Sequence, residues 1–157
     1  MQRVRGFTLI EIALSIFILL LLLVLAVPSF SGVIASRRLK QSLDEFNNLV
    51  RLAQERSVTE RRSYLIVWDK NNVIVRPEVF AEDEEAKPKA AVRPTRGSTI
   101  RLSLPMALAE EHPAEWIFWA SGTCEPATVH FRGAAGSWTV NYSPLTGRPE
   151  ITSYVTR

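Results

Sequence analysis

The chain is poor in the residues that carry covalent or metal-based chemistry. It has one cysteine, Cys124, which excludes an internal disulfide and any multi-cysteine metal site. The two histidines, His112 and His130, stand far apart with no ligand spacing around them. Glycine is scarce, at seven residues, and no glycine-rich phosphate loop or Ser/His/Asp constellation is visible. Cys124 has no helper histidine placed near it and reads as a small buried or turn residue. No catalytic residue, cofactor or metal is expected. Nor is there a large charge of one sign. The formal net charge is +3, too small by itself to argue for a nucleic-acid partner.

Overall composition is that of a globular chain, with 22% charged and 46% hydrophobic residues, which excludes wholesale disorder. The 157 residues suffice for one domain with an appendage. The apolar residues, however, are unevenly spread. Leu9 to Val27 holds one charge, Glu11, and one other clearly polar residue, Ser15. As a helix this run is ~28 Å long, against a bilayer hydrocarbon core of ~30 Å. Five consecutive leucines, Leu19 to Leu23, leave no polar face, and a soluble domain of this size has no core to surround such a helix. Arg3 and Arg5 precede the run, placing that end in the cytoplasm by the positive-inside rule. A cleaved secretory signal, a plain signal anchor and a buried core helix also fit an apolar run. None of them explains Glu11, since a carboxylate inside a spanning helix costs ~2.5–3.5 kcal/mol on insertion scales and is usually paired and functional.

Glu11 belongs to a longer pattern, Gly6-Phe7-Thr8-Leu9-Ile10-Glu11, followed by the apolar run and Pro28. This resembles the class III leader of type IV pilins and type II secretion pseudopilins. The resemblance implies that a prepilin peptidase cuts between Gly6 and Phe7 and methylates the new amine, leaving an N-methylphenylalanine at Phe7. It assigns assembly to Glu11. Physical reasoning supports the assignment. Cleavage creates an ammonium at Phe7, one helical turn from Glu11. In low dielectric an unpaired charge is expensive and a paired one is held strongly. The Glu11 carboxylate of one subunit would therefore meet the Phe7 amine of the next, setting register in a staggered stack.

Pro28 interrupts the run, and a bend or softened segment is expected there. A helix end at Pro28, with Ser29 or Ser31 as the next N-cap, is the alternative. Downstream, Leu39, Leu43, Phe46, Val50 and Ala53 recur at steps of four and three, one stripe of an amphipathic helix ending near residues 58–61. The expected segments are a leader over 1–6, a transmembrane helix over 7–28, an amphipathic half over 29–61 and a β-rich periplasmic domain over 62–157.

From Ser63 the period becomes two. Tyr64 to Trp68 and Val73 to Val75 read as a hairpin. Residues 76–97 hold three prolines and the run Glu82-Asp83-Glu84-Glu85, and read as a solvated, mobile loop with no buried element. The acids lack the spacing of a calcium loop. Met106 to Glu111 is expected to form a helical turn. Strands are expected at residues 99–104, 116–119, 128–131, 138–142 and 151–155, with His130 outward and the tryptophans mostly in the core. The fold class is α+β, a long helix packed on an antiparallel sheet.

The C-terminal half resembles the H-type minor pseudopilins of type II secretion and the related FimT-like minor pilins. Trp119-Ala120-Ser121-Gly122-Thr123, Val129-His130-Phe131, the turn Pro144 to Arg148 before Ile151, and the charged helix exit over Arg51 to Glu60 carry the likeness. It implies a non-enzymatic, single-pass inner-membrane subunit of a periplasmic pseudopilus that takes part in protein export. Its partners would be prepilin peptidase, other major and minor pseudopilins and membrane lipid. The alternative is a minor pilin that binds DNA during uptake, with Arg93, Arg96, Arg101, Arg132, Arg148 and Arg157 as candidate phosphate contacts. These arginines are scattered in sequence, which favours ordinary surface residues.

Overall fold

A computed structural model describes residues 8–69, 72–82, 84–85, 87–105 and 114–157, with the side chains of 24–31 outside the described set. The leader over 1–6, Phe7 and the helical turn expected at Met106 to Glu111 therefore lie outside the described residues.

One helix, α1 (Leu9–Thr59), dominates the chain. It runs through Pro28 without a break in helical backbone, so the proline does not end it. The carbonyl of Thr8 accepts from the amides of Glu11 and Ile12, starting the hydrogen-bond ladder without a side-chain cap. The far end is closed by a Schellman turn. The Arg62 amide donates to the Ser57 carbonyl and the Arg61 amide to that of Val58. Arg61 takes the left-handed position, with φ 51°, that glycine usually fills.

Eight strands follow: β1 (Tyr64–Asp69), β2 (Asn72–Pro77), β3 (Ala90–Val92), β4 (Thr99–Ser103), β5 (Glu115–Phe118), β6 (Ala127–Gly133), β7 (Gly136–Tyr142) and β8 (Pro149–Thr156). They divide into two antiparallel four-stranded sheets, ordered β3-β2-β1-β5 and β4-β6-β7-β8. The alternation in the sequence marks strands but not partners, so the division of the expected sheet into two was not legible there. The chain crosses from the first sheet to the second after β3, returns for β5, and leaves again for β6 to β8.

The helical stripe is the rib between the sheets. Leu39, Leu43, Phe46, Val50 and Ala53 are all buried, as is Leu49. The Phe46 ring touches both sheets, 6.1 Å from Trp68 on β1 and 5.9 and 6.1 Å from Trp138 and Tyr142 on β7. Hydrogen bonds fix the axial position. Trp138 Nε1 donates to Ser42 Oγ at 3.0 Å and Tyr142 Oη to Asn47 Oδ1 at 2.6 Å. Trp116 and Trp138 are core residues, but Trp68 is half-buried and Trp119 is exposed beyond the end of β5.

The stretch 76–97 corrects the expectation of a loop with nothing buried. Strand β2 continues to a buried Pro77. Strand β3 pairs with β2 through Val75↔Ala90 and Val73↔Val92, and Ala90 and Val92 pack against the core. Charge pairing helps order it: Glu84 of the loop pairs with Arg62 at the helix exit, described below, and Glu85 with Lys87 of the same loop.

Candidate functional site

Three regions carry the residues singled out by sequence. The first is the start of α1. Glu11 lies in its first turn, where the positive end of the helix dipole favours a carboxylate. The Ser15 hydroxyl donates to the Glu11 carbonyl at 2.7 Å. From Leu9 to Leu23 every residue is exposed, on all faces of the helix. Among the described residues no helix is long and apolar enough to cross a membrane. The side chains from 24 to 27 that complete the run lie outside the described set. Gly6 and Phe7 lie outside it too, and Pro28 is described only as helical backbone.

The second region is the helix exit, which sequence reasoning missed as a unit. The Arg62 guanidinium donates to Glu60 and to both oxygens of Glu84, 3.0 Å to Oε1. Lys89 pairs with the same Glu84 carboxylate. Arg56 and the Tyr64 hydroxyl donate to Glu60 at 2.8 and 2.7 Å. Hydrogen bonds from Arg62, then from Lys89, hold the Glu84 carboxyl well below the usual carboxylate range. Glu60 is pushed up by burial, but its bonds from Tyr64, Arg62 and Arg56 outweigh this and lower it. Arg62 is raised by Glu84 and Glu60 in turn. The result is a clasp binding the loop after β2 to the end of α1. Its sequence signal was an acidic run lying downstream of a basic helix exit.

The third region is the set of arginines. Arg93, Arg96 and Arg101 line one groove of about 760 Å³. Its walls are the β1–β2 hairpin end, with Trp68, Asp69, Asn72 and Val73, and the link from β3 into β4. Arg132 lies opposite Thr99 in the β4–β6 register, at the same end of the second sheet. Arg148 lies elsewhere, in a smaller groove of about 260 Å³ with Asn47, Arg51 and Gln54 of α1. Arg157 follows β8, its amide donating to the Ala135 carbonyl. The six arginines thus do not share one stripe. Among the described residues Arg93, Arg96 and Arg101 make no ion pair. Trp68 Nε1 is buried without a hydrogen-bond partner there.

Cys124 is buried, and burial, with the Glu125 charge, pushes its thiol up to about 11. A thiol so held is protonated near neutral pH and poor as a nucleophile. His130 faces outward as expected, its Nδ1 3.1 Å from Thr139 Oγ1.

No family model matches the chain, and no curated protein matches it in sequence. Solved structures do match in shape. The type IV minor pilin FimU of Pseudomonas aeruginosa strain PAO1 superposes with a TM-score of 0.55 at 18% identity, over 75% of this chain and 90% of that one. A second crystal form of FimU gives 0.53 at 18% identity, over 73% and 92%. The minor pseudopilin EpsH, from the type 2 secretion system of Vibrio cholerae, gives 0.52 at 15% identity, over 72% and 94%. The fold is the minor-pilin fold. In this pilin-like chain the α+β expectation holds: an amino-terminal helix packed on antiparallel sheets. By name the solved neighbours are a type IV minor pilin and a minor pseudopilin.

Proposed function

We propose that this chain is a minor pseudopilin, a structural subunit of a type II secretion pseudopilus, and not an enzyme. The observation that carries the reading is a single carboxylate, Glu11, set in a helical stretch, Leu9 to Leu23, that is exposed on every face and continuous with a pilin-like head. A globular fold does not retain such a helix in water, because leaving apolar side chains exposed forfeits ~1.5–3 kcal/mol for each large one. Lipid, and then sister helices, are the surroundings that suit it. Leu9 to Val27 matches the bilayer core in length, and Arg3 and Arg5 before it favour a cytoplasmic side for residues 1–6, with the head on the periplasmic side.

In this reading prepilin peptidase cuts between Gly6 and Phe7 and methylates the Phe7 amine. Methylation keeps the positive charge. A subunit leaving the bilayer for the filament offers its Glu11 carboxylate to the Phe7 ammonium of its neighbour. Each pair then satisfies two groups that are costly to leave alone in a low-dielectric stack. Because only one stagger brings both charges together, the pair selects register as well as contributing energy.

The test is mass spectrometry of the mature protein from its native host, with filament sedimentation of Glu11→Ala. A mature terminus at Phe7, and a variant that is cleaved normally but does not enter filaments, are expected. A terminus elsewhere, or normal incorporation of Glu11→Ala, refutes the reading. Replacing Gly6 by a bulky residue is expected to leave the leader attached.

A further inference from the structure

We propose that the end of the head nearest the apolar run is a basic face that docks on the anionic headgroups of the bilayer from which the helix emerges. The inference rests on the membrane reading of α1, and its contact is with lipid phosphate and not with another protein chain.

The head begins low on the helix. Tyr154 Oη donates to the Ser36 carbonyl at 3.4 Å. The turn from β6 to β7 sits at the level of Leu39, whose side chain an added Cβ at Gly136 would meet at 3.1 Å. The link from β3 into β4 lies beside that turn: a Cβ on Gly133 would come within 3.3 Å of Ser98, and Arg132 stands opposite Thr99. Ser36 and Leu39 are ~14 and ~18 Å beyond Val27 along the helix. The polar headgroup layer takes up ~5–7 Å of this. Extended basic side chains and an ordinary helix tilt of ~20° close the remaining ~10 Å.

Charge is sorted along the same axis. Arg93, Arg96 and Arg132 are exposed at this end of the head, and Arg37, Arg38 and Lys40 are exposed on the helix beside it. Among the described residues none of the six makes an ion pair. From Pro28 to Leu43 the chain has three cations and no acid, and Asp69 is the acid in the groove wall at this end. At the opposite end, by the helix exit, residues 78–89 carry five acids against two lysines. An anionic surface therefore attracts the near end and repels the far one, which orients the head as well as holding it. Each basic side chain close to such a surface strengthens binding about fivefold, and arginine forks engage phosphate oxygens in pairs. Duplex DNA, whose major groove alone is ~12 Å wide, does not fit beneath an anchored head. Docking of this kind keeps the resting subunit down on the bilayer, so that leaving for a filament requires these contacts to break.

The experiment uses the full chain in lipid nanodiscs of phosphatidylcholine, alone or with about one-quarter phosphatidylglycerol, doped with a headgroup spin label. A fluorophore is attached at Ala134→Cys, on the exposed β6–β7 turn, or at Thr146→Cys, exposed at the far end. Native Cys124 is buried and stays silent. Quenching at position 134 is expected to rise with phosphatidylglycerol and to fall as salt is raised, while position 146 stays unquenched. Arg93→Glu with Arg96→Glu and Arg132→Glu is expected to weaken the phosphatidylglycerol response at least about tenfold. The same variant is expected to regain quenching on discs carrying a cationic lipid, which a misfolded head does not permit. A chain that stays in the discs but whose quenching ignores phosphatidylglycerol, salt or charge reversal overturns this proposal alone. A chain that leaves phosphatidylcholine discs overturns the membrane reading and this proposal with it. Arginine-dependent binding of a short duplex DNA, without lipid-dependent quenching, also overturns it and assigns the basic face to nucleic acid.

Discussion

Phe46→Ala is the substitution that most directly tests how the head is held together. Phe46 is fully buried and its ring makes tilted contacts with Trp68, Trp138 and Tyr142. Truncating a buried phenylalanine to alanine costs ~3–5 kcal/mol, and aromatic pairs add ~0.5–1.5 kcal/mol each beyond burial. With partners on both sheets, the upper part of that range, ~4–5 kcal/mol, is expected. For a domain of about 100 ordered residues each kcal/mol moves the melting midpoint by ~4–8 °C, so a fall of at least ~15 °C follows. The assay is thermal melting of the full chain in detergent micelles, followed by near-ultraviolet circular dichroism from the core tryptophans. Trp119→Ala is the control: this ring is 41% exposed and has no ring partner among the described residues. Its loss is expected to stay within about 0.5 kcal/mol. Equal losses for the two variants refute the claim that the helical stripe unites the sheets.

Three further outcomes follow from local geometry. Glu84 has its carboxyl lowered in the folded state from an ordinary value of 4.5, so its stabilisation is present above that value and is lost as pH falls below it. The melting difference between the native chain and Glu84→Gln should be constant near pH 7 and shrink steadily below about pH 5; a difference that does not shrink contradicts the clasp. Gly136 has φ +139°, and an added Cβ meets the Val155 carbonyl and Leu39. Gly136→Ala should therefore cost ~1–3 kcal/mol in chemical denaturation, and a neutral result counts against the tight β7–β8 approach. Arg61→Gly should raise stability by ~1 kcal/mol, because the left-handed C′ position penalises a side chain; a loss instead would show that the Arg61 side chain makes a contact of its own.

The helix and its stripe were legible because a 3.6-residue period is a local property, and all five stripe residues proved buried. The strands were legible for the same reason: Trp138, Val140 and Tyr142 alternate in sequence and are buried in β7. Sheet membership was not. Whether β4 pairs with β3 or with β6 depends on contacts some thirty residues away, to which composition is blind. The acidic loop was misread for a related reason. Glu84 looks solvated beside Asp83 and Glu85, and only the fold brings Arg62, 22 residues away, against it. The groove shows both limits together. Its arginines were picked out individually, but their convergence depends on a hairpin and a sheet crossover, and Trp68 gave no sign of its part in the wall.

The Ser42–Trp138 and Asn47–Tyr142 bonds lie five residues apart on the helix and four apart on the strand. Together they work like two rivets through a beam and a plate. Sliding the helix by a turn shears both and leaves an indole and a phenol without acceptors in a dry interior. A load applied to the helix is therefore passed to the sheets as a rigid displacement and not absorbed by slippage between them.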